Sequence, residues 1–232
     1  MSAPLTGRIA LVTGASAGVG AGIVRALAAA GAIAIGAARR TDRLDEHGIA
    51  LDVRDEASVE RVIAEVRARH GRLDVLVNNA GMIGRGSMDD PDTSAWRASI
   101  ETNLLGAMLV TRAALPLITA SPAGHIVNIL STVVYGPNPG NGPYGAGKIG
   151  LRAFTESLRK ELAPAGVRVT AIMPGYVESE FYASSGAMRR DWMREITPLQ
   201  PEDIAASVVY VLAQPPHVSI SELAIRPTAQ IG

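Results

Sequence analysis

Tyr144 and Lys148 stand four residues apart in a stretch, Tyr144 to Ala163, whose pattern predicts a helix. That spacing puts both side chains on one helix face, a few ångströms apart. A free tyrosine, with a pKa of about 10, is a poor partner for proton transfer at neutral pH. A nearby ammonium favours the phenolate and brings the group into range. Such pairs also arise by chance, and the other tyrosines serve as controls. Four residues after Tyr135, Tyr176, Tyr182 and Tyr210 come Pro139, Glu180, Gly186 and Gln214, so Tyr144 alone has the lysine. It also follows a Pro/Gly-rich loop, Gly136 to Pro143, on the carboxyl side of a predicted strand, the edge where doubly wound sheets bind ligands. Ser131, thirteen residues before Tyr144, ends that strand. Its hydroxyl could hold a substrate carbonyl beside the phenol, or cap a turn. Asn103 lies in an apolar helical segment where Asn is a poor helix former, and reads as a satisfied core amide or as a kink with a bound water.

A second group of residues has the chemistry to hold a dinucleotide. Thr13-Gly14-Ala15-Ser16-Ala17-Gly18-Val19-Gly20 follows the first predicted strand and opens a helix that ends near Gly31. Glycines let a backbone approach a pyrophosphate, and a helix start offers free N–H groups and a positive dipole end. The loop lacks the Lys-Ser/Thr ending of a nucleotide-hydrolysing P-loop, which disfavours that chemistry. An NAD enzyme usually carries an acid after its second strand, to bond the ribose hydroxyls. Here the sequence reads Ala37-Ala38-Arg39-Arg40. Two guanidinium groups without a carboxylate suit a 2′-phosphate and so NADPH/NADP+ over NADH; the alternative is a pair of solvated arginines. Asp52, with Val53 beside it at the end of the third predicted strand, is placed to bond an adenine amine or to cap a helix.

The elements that must position these groups alternate. Ile9–Val12, Ile33–Ala37, Ile49–Val53, Val75–Val77, Ile126–Leu130 and Val167–Met173 read as strands, nearly continuous in apolar residues, as in a sheet covered on both faces. Between them Val59, Val62, Ile63 and Val66 follow a helical period that Gly71 ends. Strand-helix repetition predicts right-handed crossovers and an α/β, doubly wound parallel sheet. The stretch from Arg39 to Gly48 is too short for a full crossover helix and predicts a turn or loop.

Composition narrows the partners. Lys plus Arg and Asp plus Glu both count 22, a balance that argues against nucleic-acid or membrane surfaces. With no cysteine, a disulfide, a thiolate nucleophile and a Cys-ligated metal are impossible, and no metal site is expected. This suits a reducing, cytoplasmic setting, as does an N-terminus without a secretory pattern. Leu104 to Ala120, broken by Arg112 and Pro116, reads as a buried core helix of seventeen residues.

Together, Thr13-Gly14 to Gly20, Asn78-Asn79-Ala80-Gly81, Asn103, Ser131, Tyr144 with Lys148, and Pro174-Gly175 stand in order and at spacings that resemble the short-chain dehydrogenase/reductase family over the whole length. The resemblance implies a single Rossmann-type domain, 1–232, catalysing NADP-dependent reduction of a small carbonyl substrate or oxidation of an alcohol. It implies that Tyr144 exchanges the proton, that Lys148 lowers the pKa of Tyr144 and bonds the nicotinamide ribose, that Ser131 orients the carbonyl, and that Asn103 holds a water. Gly14, Ser16, Gly18, Val19, Gly20, Asn79, Ala80 and Gly81 would border the cofactor, with Pro174, Gly175, Val177 and Ser179 at its carboxamide. The run Ser221 to Thr228 looks like the clavulanic acid and 3-hydroxy acid dehydrogenase branch, which implies a homotetramer or homodimer. Segment 175–199, with Tyr176, Phe181, Tyr182, Met188, Trp192 and Met193, reads as a substrate lid or as an ordinary amphipathic helix. Arg189, Arg190 and Arg194 could meet a carboxylate or form a solvated face. The rival reading of the whole chain is a redox-sensing regulator that binds the nucleotide without turnover.

Overall fold

In the computed structural model, which describes residues 3–84, 92–137, 139–183 and 196–231, apolar strands build one seven-stranded sheet. The strands are β1 (Ile9–Thr13), β2 (Ile33–Ala38), β3 (Ile49–Ala50), β4 (Val75–Asn78), β5 (His125–Ile129), β6 (Arg168–Pro174) and β7 (Glu222–Ile225). Their order is β3-β2-β1-β4-β5-β6-β7, and every pairing is parallel. Parallel strands need crossovers, and the helices that supply them cover both faces. On one face α1 (Gly18–Ala29) and α7 (Pro201–Leu212) bury Ile23, Leu27, Ile204 and Val208 against Ala10, Val12 and Val127. On the other, α2 (Glu56–His70), α4 (Gly106–Thr119) and α5 (Gly142–Leu162) bury Val59, Val66, Val110 and Leu158 against Leu11, Leu76 and Ile126.

Most expected elements are present, with shifts that have local causes. Helix α2 starts at the Asp55 cap, whose carboxylate accepts from Ala57 N, and stops at Gly71 in the left-handed region. The connection from Arg39 to Gly48 holds only a 3₁₀ turn, Thr41–Arg43. Strand β3 is two residues long, so Asp52 and Val53 lie beyond it and not at its end as expected. Asp52 caps no helix, since Asp55 takes that place. The seventh strand, Glu222–Ile225, was hidden because it is short and half-exposed at the sheet edge, with Glu222 and Ala224 outward and Leu223 and Ile225 partly covered. The apolar helix is also longer than its seventeen expected residues. It runs through Ser94–Thr119, 26 residues with an 18-residue stretch of mean hydropathy 1.3, long and apolar enough to cross a membrane by length and composition alone. In this fold Val110, Ala114 and Ile118 on it are buried in the core under the sheet.

Sheet order reverses between β1 and β4, and a crevice opens where strands on either side of such a point send their chains to opposite faces. The loops after β1, β2, β4, β5 and β6 all reach it.

Candidate active site

The crevice is a cavity of about 590 Å³. Its walls include Gly14, Ser16, Gly18, Val19 and Gly20 from the first loop, Arg39 and Arg40 after β2, and Asp52 and Val53 after β3. Asn79, Ala80 and Gly81 follow β4, while Pro174 ends β6 and Gly175, Val177 and Ser179 follow it. Ser131, Tyr144 and Lys148 complete it. All but one of the expected site residues therefore share one cavity. The exception is Asn103, which stands behind the wall.

The glycine loop is shaped by close backbone packing. A Cβ on Gly14, whose φ is 68°, would come within 2.7 Å of Ala80 Cα, and one on Gly20 within 2.3 Å of Gly14 O. Asn79 locks this contact: its Nδ2 donates to Thr13 O at 3.0 Å and to Gly14 O at 3.2 Å. Thr13 Oγ1 in turn accepts from the backbone N of Asn79 and of Ala80, both at 3.0 Å. Helix α1 begins at Gly18 with no side-chain cap, so its first N–H groups face the cavity unclaimed by a capping side chain.

Helix α5 delivers Tyr144 and Lys148 from one face, both nearly buried at 7% and 3% exposure. Phe181 packs beside the tyrosine, ring centroids 6.1 Å apart. Lys148 Nζ donates to the carbonyl of Ile129 at 2.8 Å, and burial pushes its pKa down to about 8. An ammonium has three N–H groups, and the described residues supply this one acceptor. A buried cation so sparsely bonded, on the wall of a cavity, fits a polar ligand that completes its shell. Ser131 Oγ caps the turn Thr132–Tyr135 by accepting from Val133 N at 3.2 Å, and the residue lines the cavity. Accepting leaves the hydroxyl hydrogen free to donate.

Asn103 is a satisfied core amide set at a kink in its helix. Helix α3 (Ser94–Ile100) widens into a π turn at Glu101–Leu105, the kink, and the buried amide is satisfied inside it. Its Nδ2 donates to Met82 O at 2.6 Å and Ser99 O at 2.9 Å, and its Oδ1 accepts from Met82 N at 3.3 Å. Asn103 thus holds the chain beyond Gly81 against the helix that backs Lys148.

The cationic end of the cavity divides unexpectedly. The exposed Arg39 guanidinium makes no hydrogen bond or ion pair among the described residues, although its charge reaches Asp52. Arg40 is engaged, donating to Ser16 Oγ at 3.2 Å and to Glu180 at 3.2 Å. Asp52 accepts from Arg54 Nη2 at 2.6 Å, and hydrogen bonds from Arg54 hold its carboxyl at about 2. Arg54, Glu180, Thr102 and the carbonyl of Ile129 carried no motif signal, since each acts through a place in the fold. Of segment 175–199, residues 184–195 lie outside the described residues, and with them Met188, Arg189, Arg190, Trp192, Met193 and Arg194. The side chain of Tyr182 lies outside them too.

An open parallel sheet with a glycine loop at its reversal point and a Ser-Tyr-Lys group beside it defines a nicotinamide-dependent oxidoreductase. The family model for short chain dehydrogenase matches residues 8–190, and the chain belongs to that family. It is 39% identical to sulfoacetaldehyde reductase 2 of Chromohalobacter salexigens, over 96% of this chain and 95% of that one. Among solved structures it is similar to a serine dehydrogenase in closed form complexed with NADP+ (TM-score 0.89, 36% identity, 97% and 96% of the two chains). It is also similar to an alcohol dehydrogenase of the archaeon Thermococcus sibiricus complexed with 5-hydroxy-NADP (TM-score 0.87, 30% identity, 97% and 98%).

Proposed function

We infer that the chain is an NADPH-dependent reductase of small ketones or aldehydes, working in reverse as an alcohol dehydrogenase. The observation that carries this reading is the meeting of Ser131, Tyr144 and Lys148 in the cavity that also holds the glycine loop and Arg39. The nicotinamide, when bound, supplies a hydride to the carbonyl carbon. The protein's own groups do the rest. Ser131 donates a hydrogen bond to the carbonyl oxygen and fixes its direction. Tyr144 gives that oxygen a proton as negative charge builds on it, and both bonds strengthen toward the transition state. Lys148, still cationic below about pH 8, stabilises the phenolate left behind. Asn103 acts at one remove, by keeping the Gly81–Met82 chain against the helix.

Phe181 supplies an apolar wall beside Tyr144, which supports reading segment 175–199 as a cover over the substrate. The names of two relatives, a sulfoacetaldehyde reductase and a serine dehydrogenase, support small polar substrates. NADP+ and 5-hydroxy-NADP in two related structures, with Arg39 on the cavity wall and no acid at position 38, support NADPH over NADH. A homodimer or homotetramer in the cytoplasm belongs to the same reading. Leu105, Met108 and Ile149, exposed large apolar side chains near and on α4 and α5, support such an assembly.

The test is NADPH consumption measured against a panel of small aldehydes and ketones that includes sulfoacetaldehyde. Turnover is expected, and Tyr144→Phe should lower kcat roughly 10²- to 10⁴-fold while NADPH still binds. Near-normal turnover in that variant, or none in the wild type with any carbonyl, overturns the reading.

A further inference from the structure

Glu180 lies far from the strand its segment leaves. Strands β2 and β6 are separated by β1, β4 and β5. Neighbouring strands stand about 4.8 Å apart, so four such gaps put β2 and β6 about 19 Å from each other. Yet Glu180, six residues after the end of β6, bonds two residues that follow β2. Six extended residues reach about 20 Å, so the segment must run across the strand ends to get there. Its course confirms this, because a Cβ on Gly18 would lie 3.2 Å from Ser179 Cβ, over the glycine loop.

The near end of this strap is anchored by backbone. Tyr176 N donates to Gln230 Oε1 at 2.9 Å, and Glu178 N to Leu199 O at 2.8 Å. The far end is held by charge. Arg43 Nη1 reaches both carboxylate oxygens of Glu180 at 2.9 Å, and Arg40 Nη1 reaches one at 3.2 Å. Arg40 also donates to Ser16 Oγ, joining strap, second-strand loop and glycine loop at one point. Ser16, Arg40, Ser179 and Glu180 line the cavity, whereas Arg43 does not and grips Glu180 from outside.

We propose that Glu180, gripped by Arg40 and Arg43, is a clasp that retains the bound dinucleotide and sets its release rate without selecting the 2′-phosphate. The proposal rests on the nucleotide reading of the cavity. Selection is left to Arg39, which lines the cavity and whose guanidinium makes no hydrogen bond or ion pair among the described residues. The alternative, a Glu180 that merely fills the phosphate's place, fits poorly with a carboxylate held on both oxygens by an arginine outside the cavity.

The two ideas predict opposite results in stopped-flow displacement of NADPH and, separately, NADH. With a clasp, Glu180→Gln and Arg43→Ala each release both dinucleotides roughly fivefold faster, the effect of losing exposed ion pairs. The factor is the same for NADPH and NADH, the double variant is no faster than Glu180→Gln, and Arg43→Lys recovers part of the loss. High salt, which screens exposed pairs, should shrink the difference from wild type. Unchanged release in both folded single variants overturns the clasp. So does a Glu180→Gln variant that tightens NADPH and not NADH, because that marks a competitor for the phosphate. A wild type that holds NADH as tightly as NADPH overturns the cofactor preference and leaves the clasp standing, while binding of neither overturns both.

Discussion

The two ends of the sheet bury polar groups in opposite ways. At the amino end Asp74, 2% exposed, accepts from Ile9 N at 2.7 Å, from Ser121 Oγ at 2.5 Å and from Arg72. Arg168 donates to the carbonyls of Leu212, Gln214 and Val218, and Arg8 adds a second donor at Leu212, closing the end of α7. There, His125 Nδ1 apart, the bonds are made between protein groups. At the carboxyl end Lys148 has one acceptor and Ser131 a spare hydrogen among the described residues. The same cost of burial that makes the amino end a clamp makes the carboxyl end a receptor, because its unmet bonds wait for a ligand.

Substitution at each end should separate activity from stability. Ser131→Ala removes a donor to the carbonyl oxygen and should lower kcat/KM about 100-fold, with a stability loss near 1 kcal/mol or less from the turn cap. Asp74→Ala should do the reverse, costing about 3 kcal/mol in denaturant unfolding by stranding Ile9 N–H and the Ser121 hydroxyl, with kcat/KM intact under folding conditions. If Ser131→Ala chiefly unfolds the chain, or Asp74→Ala chiefly slows it, the division of labour is wrong.

Arg39 offers a smaller and sharper contrast with its neighbour. Arg39→Ala should lose roughly 10- to 30-fold of the NADPH over NADH ratio in kcat/KM, the loss expected for one charge-assisted bond. An unaltered ratio would move phosphate selection to Arg40, against the bonds that already occupy it.

What could be read from the chain follows the same division. Glycines, an isolated Tyr–Lys spacing and apolar runs have local causes, so the first six strands, α1, α2, α5 and most of the cavity wall were readable. Asp52 was readable as a cavity residue but not as the partner of Arg54, because its place depends on a strand that stops after two residues. Glu180 and Arg43 were not, since 137 positions separate them and only the crossing of the strap joins them. The edge strand β7 was hidden because edge strands need no continuous apolar run. The π turn at Asn103 announced itself only as a polar residue in an apolar helix.

pH offers the mildest way to set the two ends apart. Lys148 and His125 are both pushed down by burial, to about 8 and about 3, so near neutrality the first is charged and the second is not. His125 Nε2 lies 2.8 Å from Thr170 Oγ1, whose own hydrogen goes to Ile220 O. The imidazole must therefore donate from Nε2 and leave Nδ1 as a bare lone pair, the ring atom without a partner among the described residues. Protonation would place a buried N–H there facing the charge of Arg168 and Arg8. As pH falls below about 6.5 the unfolded chain takes up this proton and the folded one does not until about 3, so stability drops across that window. Unfolding followed from roughly pH 7 to roughly pH 5.5 should show a loss of about 1 kcal/mol from this group, and His125→Gln, whose amide can still donate to Thr170, should flatten that part of the slope. Carbonyl reduction should respond at the other limit, declining as pH rises through about 8 and the Lys148 charge is lost. An acid slope that survives in His125→Gln would show that the amino end holds its pH sensitivity elsewhere.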